Sequence, residues 1–167
     1  MRLFIAIHLS EAQRAAVLSA QQAFRAAGIR GNYTPAENLH LTLAFIGEYP
    51  DPDAVLAAME DMDFVPFDLT LRGVGAFGDL WWIGIADNPA LTGCVRSLRR
   101  ALAEAGIPFD RKRFSPHITL VRRAVAGAKG FPGIHVPAVT ARVERVSLMR
   151  SDRGKSGMIY TPLGCRE

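Results

Sequence analysis

Cysteines and long apolar runs are scarce in this sequence of 167 residues. The two cysteines, Cys94 and Cys165, form neither a Cys-x-x-Cys pair nor a disulfide framework, as a reducing compartment allows. The first apolar run, residues 3–7, ends at His8 and is too short for a membrane span or a secretory signal peptide. We therefore expect a cytoplasmic chain that makes no membrane contact and carries two inert thiols.

Lysine is also scarce, since arginine supplies 17 of the 20 basic side chains. The planar guanidinium group of arginine suits phosphate. The charges are unevenly divided: residues 1–90 contain 5 basic and 11 acidic residues, whereas residues 91–167 contain 15 and 5. This asymmetry favours an anionic partner that docks mainly on the C-terminal half, although genomic base composition alone would produce a similar arginine content.

What is present predicts one globular domain over residues 1–167, because 49% of the residues are hydrophobic and 22% are charged. A strand at residues 2–7 precedes a helix that begins with the capping-box spacing of Ser10 and Gln13 and ends at Gly28. The remaining predicted elements are a turn at 28–38, a strand at 39–46, a helix from Asp51-Pro52 to about residue 62, a hairpin of residues 67–77 and 80–86, a helix from Asn88-Pro89 to Gly106, a strand at 117–121, a loop at 127–137, and two final strands at 139–151 and 157–163.

This order resembles a degenerate duplication. Each half offers a strand, a helix of about fifteen residues that ends at a glycine, and a strand that carries His-x-Thr. His40 follows Gly28 by 12 residues, and His117 follows Gly106 by 11, so the two motif strands occupy nearly equivalent places.

The motifs themselves are "HLTL" at residues 40–43 and "HITL" at residues 117–120. Residues two apart on a strand point to the same face, so His40 and Thr42 project one way while the leucines between and after them project the other. The second motif repeats this arrangement. If a pseudo-twofold axis relates the halves, two imidazoles and two hydroxyls face one small space across a cleft.

Two histidines on opposite sides of a phosphorus atom suit in-line displacement. A neutral imidazole accepts a proton from the attacking water, and an imidazolium donates a proton to the leaving oxygen. The hydroxyls of Thr42 and Thr119 can donate hydrogen bonds to the non-bridging phosphate oxygens.

Other interpretations of the motifs remain open at this point. Each histidine could be a core residue satisfied by hydrogen bonds, and threonine is common in strands in any case. A metal site is the less favoured alternative, because no third His, Cys or carboxylate stands at a ligand spacing near either motif. We therefore expect no metal and no cofactor.

The paired motifs resemble the 2H phosphoesterase superfamily, and specifically its RNA 2′,3′-cyclic phosphodiesterase branch, formerly called 2′-5′ RNA ligase. The likeness extends to "RLFIAI" at the start, "HLTLAFIGE" at 40–48, "FSPHITLVR" at 114–122 and the ending "LMRSDRGKSGMIYTPL". It implies an α+β fold of two lobes, in which two antiparallel sheets flanked by helices enclose a central cleft.

The resemblance also implies an activity, the metal-independent opening of terminal 2′,3′-cyclic phosphates to 2′-phosphomonoesters. His40 and His117 match the catalytic histidines, with His117 activating water and His40 protonating the leaving group, and Thr42 and Thr119 match the residues that bind substrate. The expected partners are RNA or nucleotides with cyclic phosphate ends, and we expect a monomer. Ligation of tRNA halves through a 2′-5′ linkage, or RNA binding without catalysis, are the alternatives.

The direction in which Arg122 and Phe45, the two residues of interest after the motifs, point depends on strand geometry. Arg122 stands where this branch often has an arginine after its second motif. Strict alternation turns it away from His117, which favours Arg123 or leaves Arg122 as a solvent-facing charge. Contact with phosphate therefore requires the strand to end or bulge before Arg122. Phe45 has the parity of Leu41, so we expect it in the core, with base stacking as the alternative.

Overall fold

Nine strands form two antiparallel sheets, and neither sheet comes from one half of the chain alone. The computed structural model describes residues 1–167. The strands are β1 (Arg2–His8), β2 (Arg30–Tyr33), β3 (His40–Glu48), β4 (Phe67–Phe77), β5 (Leu80–Ile85), β6 (His117–Val125), β7 (Thr140–Val143), β8 (Val146–Gly154) and β9 (Gly157–Arg166). The first sheet has the order β3-β1-β8-β9, and the second has the order β2-β6-β5-β4-β7. The expected α+β architecture of two sheets is confirmed, with the two halves of the chain interwoven.

Three α-helices connect and cover the sheets: α1 (Glu11–Ala26), α2 (Pro52–Glu60) and α3 (Pro89–Glu104). Their starts follow the predicted caps. Ser10 and Gln13 form a reciprocal capping box, and the side chains of Asp51 and Asn88 accept hydrogen bonds from backbone N–H groups in the first turns of α2 and α3. None of the helices has the length and hydropathy needed to cross a membrane.

The duplication is visible in the strand pairing. β3 pairs with β1, which precedes α1, and β6 pairs with β5, which precedes α3. Thr42 lies opposite Ala6 in the first pair, and Thr119 lies opposite Trp82 in the second. The long helix of each repeat packs against the motif strand of the other repeat: α1 contacts β6, and α3 contacts β3.

One continuous core joins the two sheets. Two buried glutamines of α1 fix the helix on the second sheet: Gln21 donates to the carbonyl oxygen of Leu120 at 3.0 Å, and Gln13 donates to that of Leu69 at 2.9 Å. Buried amides are tolerated only when they are paired in this way. Cys94 is buried in α3, and its burial raises the pKa of the thiol to about 11, so it stays protonated near neutral pH.

Two details of the predicted order are wrong. The turn expected at residues 28–38 contains β2, a short strand that pairs with β6. The single strand expected at residues 139–151 is two strands, since β7 pairs with β4 in the second sheet and β8 pairs with β1 in the first.

Candidate active site

The two motif histidines are held in the same way. The Nδ1 atom of His40 lies 2.6 Å from the carbonyl oxygen of Asn38, and that of His117 lies 2.8 Å from the carbonyl oxygen of Ser115. A carbonyl oxygen only accepts, so in both rings Nδ1 carries the proton and donates it to the residue two positions earlier. Nε2 is therefore the nitrogen that exchanges a proton in each ring.

Both histidines open onto one cavity of about 700 Å³ between the sheets. The predicted residues His40, Thr42, His117, Thr119 and Arg122 all line it. The other lining residues are Arg25, Gly31, Asn32, Tyr33, Thr34, Pro35, Asn38, Ser156, Gly157, Met158 and Tyr160. The cleft expected from the duplicated motif is thus present, and no Asp or Glu lines it.

A β-bulge brings Arg122 into this cavity. Trp82 pairs with Thr119 while Trp81 pairs with Val121, so Leu120 is an extra residue on β6. The bulge reverses the alternation, and both Leu120 and Val121 are fully buried. Arg122 therefore returns to the face of Thr119, which is the geometry that the expected contact with phosphate would need.

The first motif carries a bulge at the equivalent position. Ile5 pairs with Ala44 while Ala6 pairs with Thr42, so Leu43 is the extra residue on β3. The reversed parity turns Phe45 outward, where 36% of its surface is exposed and the Arg2 guanidinium carbon lies 5.2 Å from the ring centroid. The expectation that Phe45 is a core residue is wrong for this reason, and Phe45 does not line the cavity.

The environments of the two imidazoles differ. The ring of His40 lies 5.0 Å from that of Phe4 and 5.3 Å from that of Tyr160, and its Nε2 lies 2.8 Å from the Thr42 hydroxyl oxygen. Burial lowers the pKa of His40, and the positive charges of His8, Arg122 and His117 act in the same direction, against the opposing effect of the hydrogen bond to Asn38. His40 is therefore predominantly neutral near pH 7 in the free protein.

Sequence reasoning missed the part of the cavity that the hairpin of β8 and β9 supplies. Ser156, Gly157 and Met158 lie at the turn of this hairpin. Asn38 anchors it, since its side-chain amide donates to the carbonyl oxygen of Met158 at 2.9 Å.

Comparison with known proteins places this geometry in a family. A model of the family described as "2′-5′ RNA ligase superfamily" matches residues 10–155. The chain belongs to the 2′-5′ RNA ligase superfamily. A relative in this superfamily from Thermus thermophilus, named RNA 2′,3′-cyclic phosphodiesterase, is 35% identical over 98% of this chain and 88% of its own length. One of the same name from Methanothermobacter thermautotrophicus is 28% identical over 98% of this chain and 96% of its own length.

Solved structures share the fold. Escherichia coli LigT in complex with 3′-AMP has a TM-score of 0.85 and 30% identity, covering 99% of this chain and 96% of LigT. The MHV ns2 PDE domain has a TM-score of 0.60 at 11% identity over 98% of this chain and 100% of that domain, a likeness of fold alone.

Proposed function

We propose that this protein is a metal-independent RNA 2′,3′-cyclic phosphodiesterase that opens terminal 2′,3′-cyclic phosphates to 2′-phosphomonoesters. The names of its superfamily relatives support the substrate class. The observation that carries the proposal is the arrangement of two imidazoles, each anchored through Nδ1, on one cavity that no carboxylate lines.

The reaction needs two proton transfers around the phosphorus atom. Nε2 of His117 accepts a proton from water, whose oxygen forms a bond to phosphorus. The bond from phosphorus to the 3′ oxygen breaks, and Nε2 of His40 donates a proton to that oxygen. The products are a 2′-phosphomonoester and a free 3′-hydroxyl group.

Binding of substrate prepares His40 for the acid role. Its pKa is lowered in the free protein partly by Arg122 and His117. A phosphodiester anion placed among these groups offsets their positive charge and favours the imidazolium form of His40. We propose that the order of events is therefore binding first and protonation of His40 second.

The threonines and Arg122 hold the phosphate. The Thr42 hydroxyl donates a hydrogen bond to Nε2 of His40 in the free protein. When substrate binds, this hydroxyl can turn toward a non-bridging phosphate oxygen, as the Thr119 hydroxyl can from the other motif. Arg122 compensates the anionic charge at the same cavity. Positioning of this kind lowers the barrier by fixing the line of attack.

The test is hydrolysis, in excess EDTA, of a dinucleotide that ends in a 2′,3′-cyclic phosphate. His40→Ala and His117→Ala should each reduce kcat by about 10²- to 10⁴-fold, because each removes one proton transfer. His135→Ala is the matched control, since His135 is exposed and lies outside the cavity. A requirement for a divalent cation would contradict the proposal, and phosphorus NMR of the product would show whether the 2′-phosphomonoester forms.

Ligation is the second candidate, and the family description favours it. Joining a 2′,3′-cyclic phosphate to a 5′-hydroxyl group through a 2′-5′ linkage uses the same two proton transfers, with the 5′-hydroxyl in place of water: His117 accepts its proton, its oxygen bonds to phosphorus, and His40 protonates the departing 3′ oxygen. Incubation with tRNA halves, followed by separation on a denaturing gel, distinguishes joined from hydrolysed ends.

A further inference from the structure

Besides Arg122, the cavity is lined by a second cationic side chain, Arg25, which stacks on the ring of Tyr33. Arg25 lies in the last turn of α1, and its guanidinium carbon stands 4.1 Å from the centroid of the Tyr33 ring. The Tyr33 hydroxyl donates to the carbonyl oxygen of Ile29 at 2.8 Å, which fixes the ring. Stacking on an aromatic face restrains a guanidinium group while leaving its N–H donors free for a ligand.

The charge of Arg25 is not neutralised within the protein. Neither Arg25 nor Arg122 takes part in any of the ion pairs of the structure. A cation in the last turn also interacts favourably with the helix dipole, but this effect does not explain why the side chain lies over Tyr33 at the cavity. The guanidinium group of Arg25 is therefore available to an anion in the cavity.

The positions of Arg25 and Arg122 are linked through β2. Asn32 pairs with Arg122 and Tyr33 pairs with Val121, so Tyr33 holds Arg25 beside the strand that supplies Arg122. The cavity of about 700 Å³ spans both arginines and both histidines. This volume lies in the range of sites for ligands much larger than a single phosphate group.

We propose that Arg25, held by Tyr33, contacts the phosphate that joins the terminal nucleotide to the preceding one. The enzyme then prefers RNA ends to isolated nucleoside cyclic phosphates. This inference rests on the proposed function, because the reacting cyclic phosphate at the histidines fixes where the next phosphate lies.

The test uses two dinucleoside 2′,3′-cyclic phosphates that differ only in the linkage between the nucleosides. One has an ordinary phosphodiester linkage, and the other has an uncharged methylphosphonate linkage. The unaltered enzyme should show a KM about tenfold lower for the charged substrate, since a hydrogen bond to a charged group contributes on this scale. Arg25→Gln should remove that difference by raising the KM of the charged substrate to that of the neutral one.

Three further variants sharpen the comparison. Tyr33→Leu should reduce the difference more than Tyr33→Phe does, because Tyr33→Phe keeps the aromatic face and loses only the hydrogen bond to Ile29. Arg30→Gln is the matched control for charge, since Arg30 is exposed and does not line the cavity, and it should keep the difference. Equal KM values in the unaltered enzyme, or a difference that survives in Arg25→Gln, would overturn the inference. Failure to hydrolyse either substrate would instead overturn the proposed function.

Discussion

The two motif histidines stand at equivalent places but have different neighbours. His40 is packed between Phe4 and Tyr160, and burial lowers its pKa. His117 lies edge-on to Phe77, at 5.1 Å, and 45% of the Phe77 surface is exposed. These neighbours come from strands distant in sequence, which is why the two tetrapeptides alone left the acid and the base interchangeable.

A substrate with a sulfur leaving atom separates the two roles. In a 3′-thio analogue of the cyclic phosphate, the departing thiolate needs no proton, so the acid becomes unnecessary. We expect the analogue to restore most of the kcat lost in His40→Ala, and to leave His117→Ala as impaired as with the oxygen substrate. Single-turnover rates with both substrates measure this rescue.

The opposite pattern, with rescue of His117→Ala alone, would assign His117 as the acid and His40 as the base. The lowered pKa of His40 in the free protein is compatible with His40 as the base, since a neutral imidazole is the form that accepts a proton. Rescue of neither variant would contradict acid catalysis at the leaving oxygen.

At the level of secondary structure, the bulges of β6 decide which arginine reaches the cavity. Leu120 is the extra residue opposite β5, and a second irregularity opposite β2 leaves Arg123 with a φ of 53°. Left-handed backbone is costly for a β-branched side chain. Arg122 and Arg123 should therefore respond differently to the same substitution.

We expect Arg123→Val to lower the free energy of unfolding by about 1 kcal/mol with little change in KM. Arg122→Val should change stability by less than about 0.5 kcal/mol but raise KM about tenfold. Urea unfolding and steady-state kinetics of the two variants measure these effects. Equal effects of both variants on KM would show that the bulge does not select between them.

The sequence predicted the elements with strong local signals and missed those fixed by distant contacts. Capping residues marked the helix starts, and the motifs marked β3 and β6. The strand β2 was missed because its partner is β6, in the other half of the chain, and because Gly31 resembles a turn residue. A Cβ at Gly31 would lie 2.6 Å from a methyl group of Val121, so glycine is needed for close approach to β6.

The bulges and the split between β7 and β8 were missed for a related reason. A bulge changes the parity of a strand without any required residue type, so Arg122 and Phe45 could not be placed from alternation alone. The two strands β7 and β8 are separated only by Glu144 and Arg145, and pairing with different sheets is a property of the assembled molecule.

At the scale of the whole molecule, the interwoven sheets bring positively charged side chains close to His8 and His40. His8 lies opposite His40 in the pairing of β1 with β3. Partial burial lowers the pKa of His8, which remains exposed on one side, and Arg14 from α1 and Arg145 from the connection between β7 and β8 lower it further. Segments from both halves of the chain thus disfavour protonation of the His8–His40 pair.

This distribution predicts that stability falls when the pH is lowered through the range where histidine titrates. The unfolded chain has histidine pKa values near 6.5, and the pKa values of His8 and His40 in the folded protein are lower. Below 6.5 the unfolded state therefore binds more protons, so the stabilisation is complete above this pH and is lost as the pH falls toward the folded pKa values. Urea unfolding of the His8→Gln/His40→Gln double variant should show a weaker dependence on pH than that of the unaltered protein. His135→Gln, exposed in the loop before β7, should keep the original dependence, and an unchanged slope in the double variant would locate the titrating groups elsewhere.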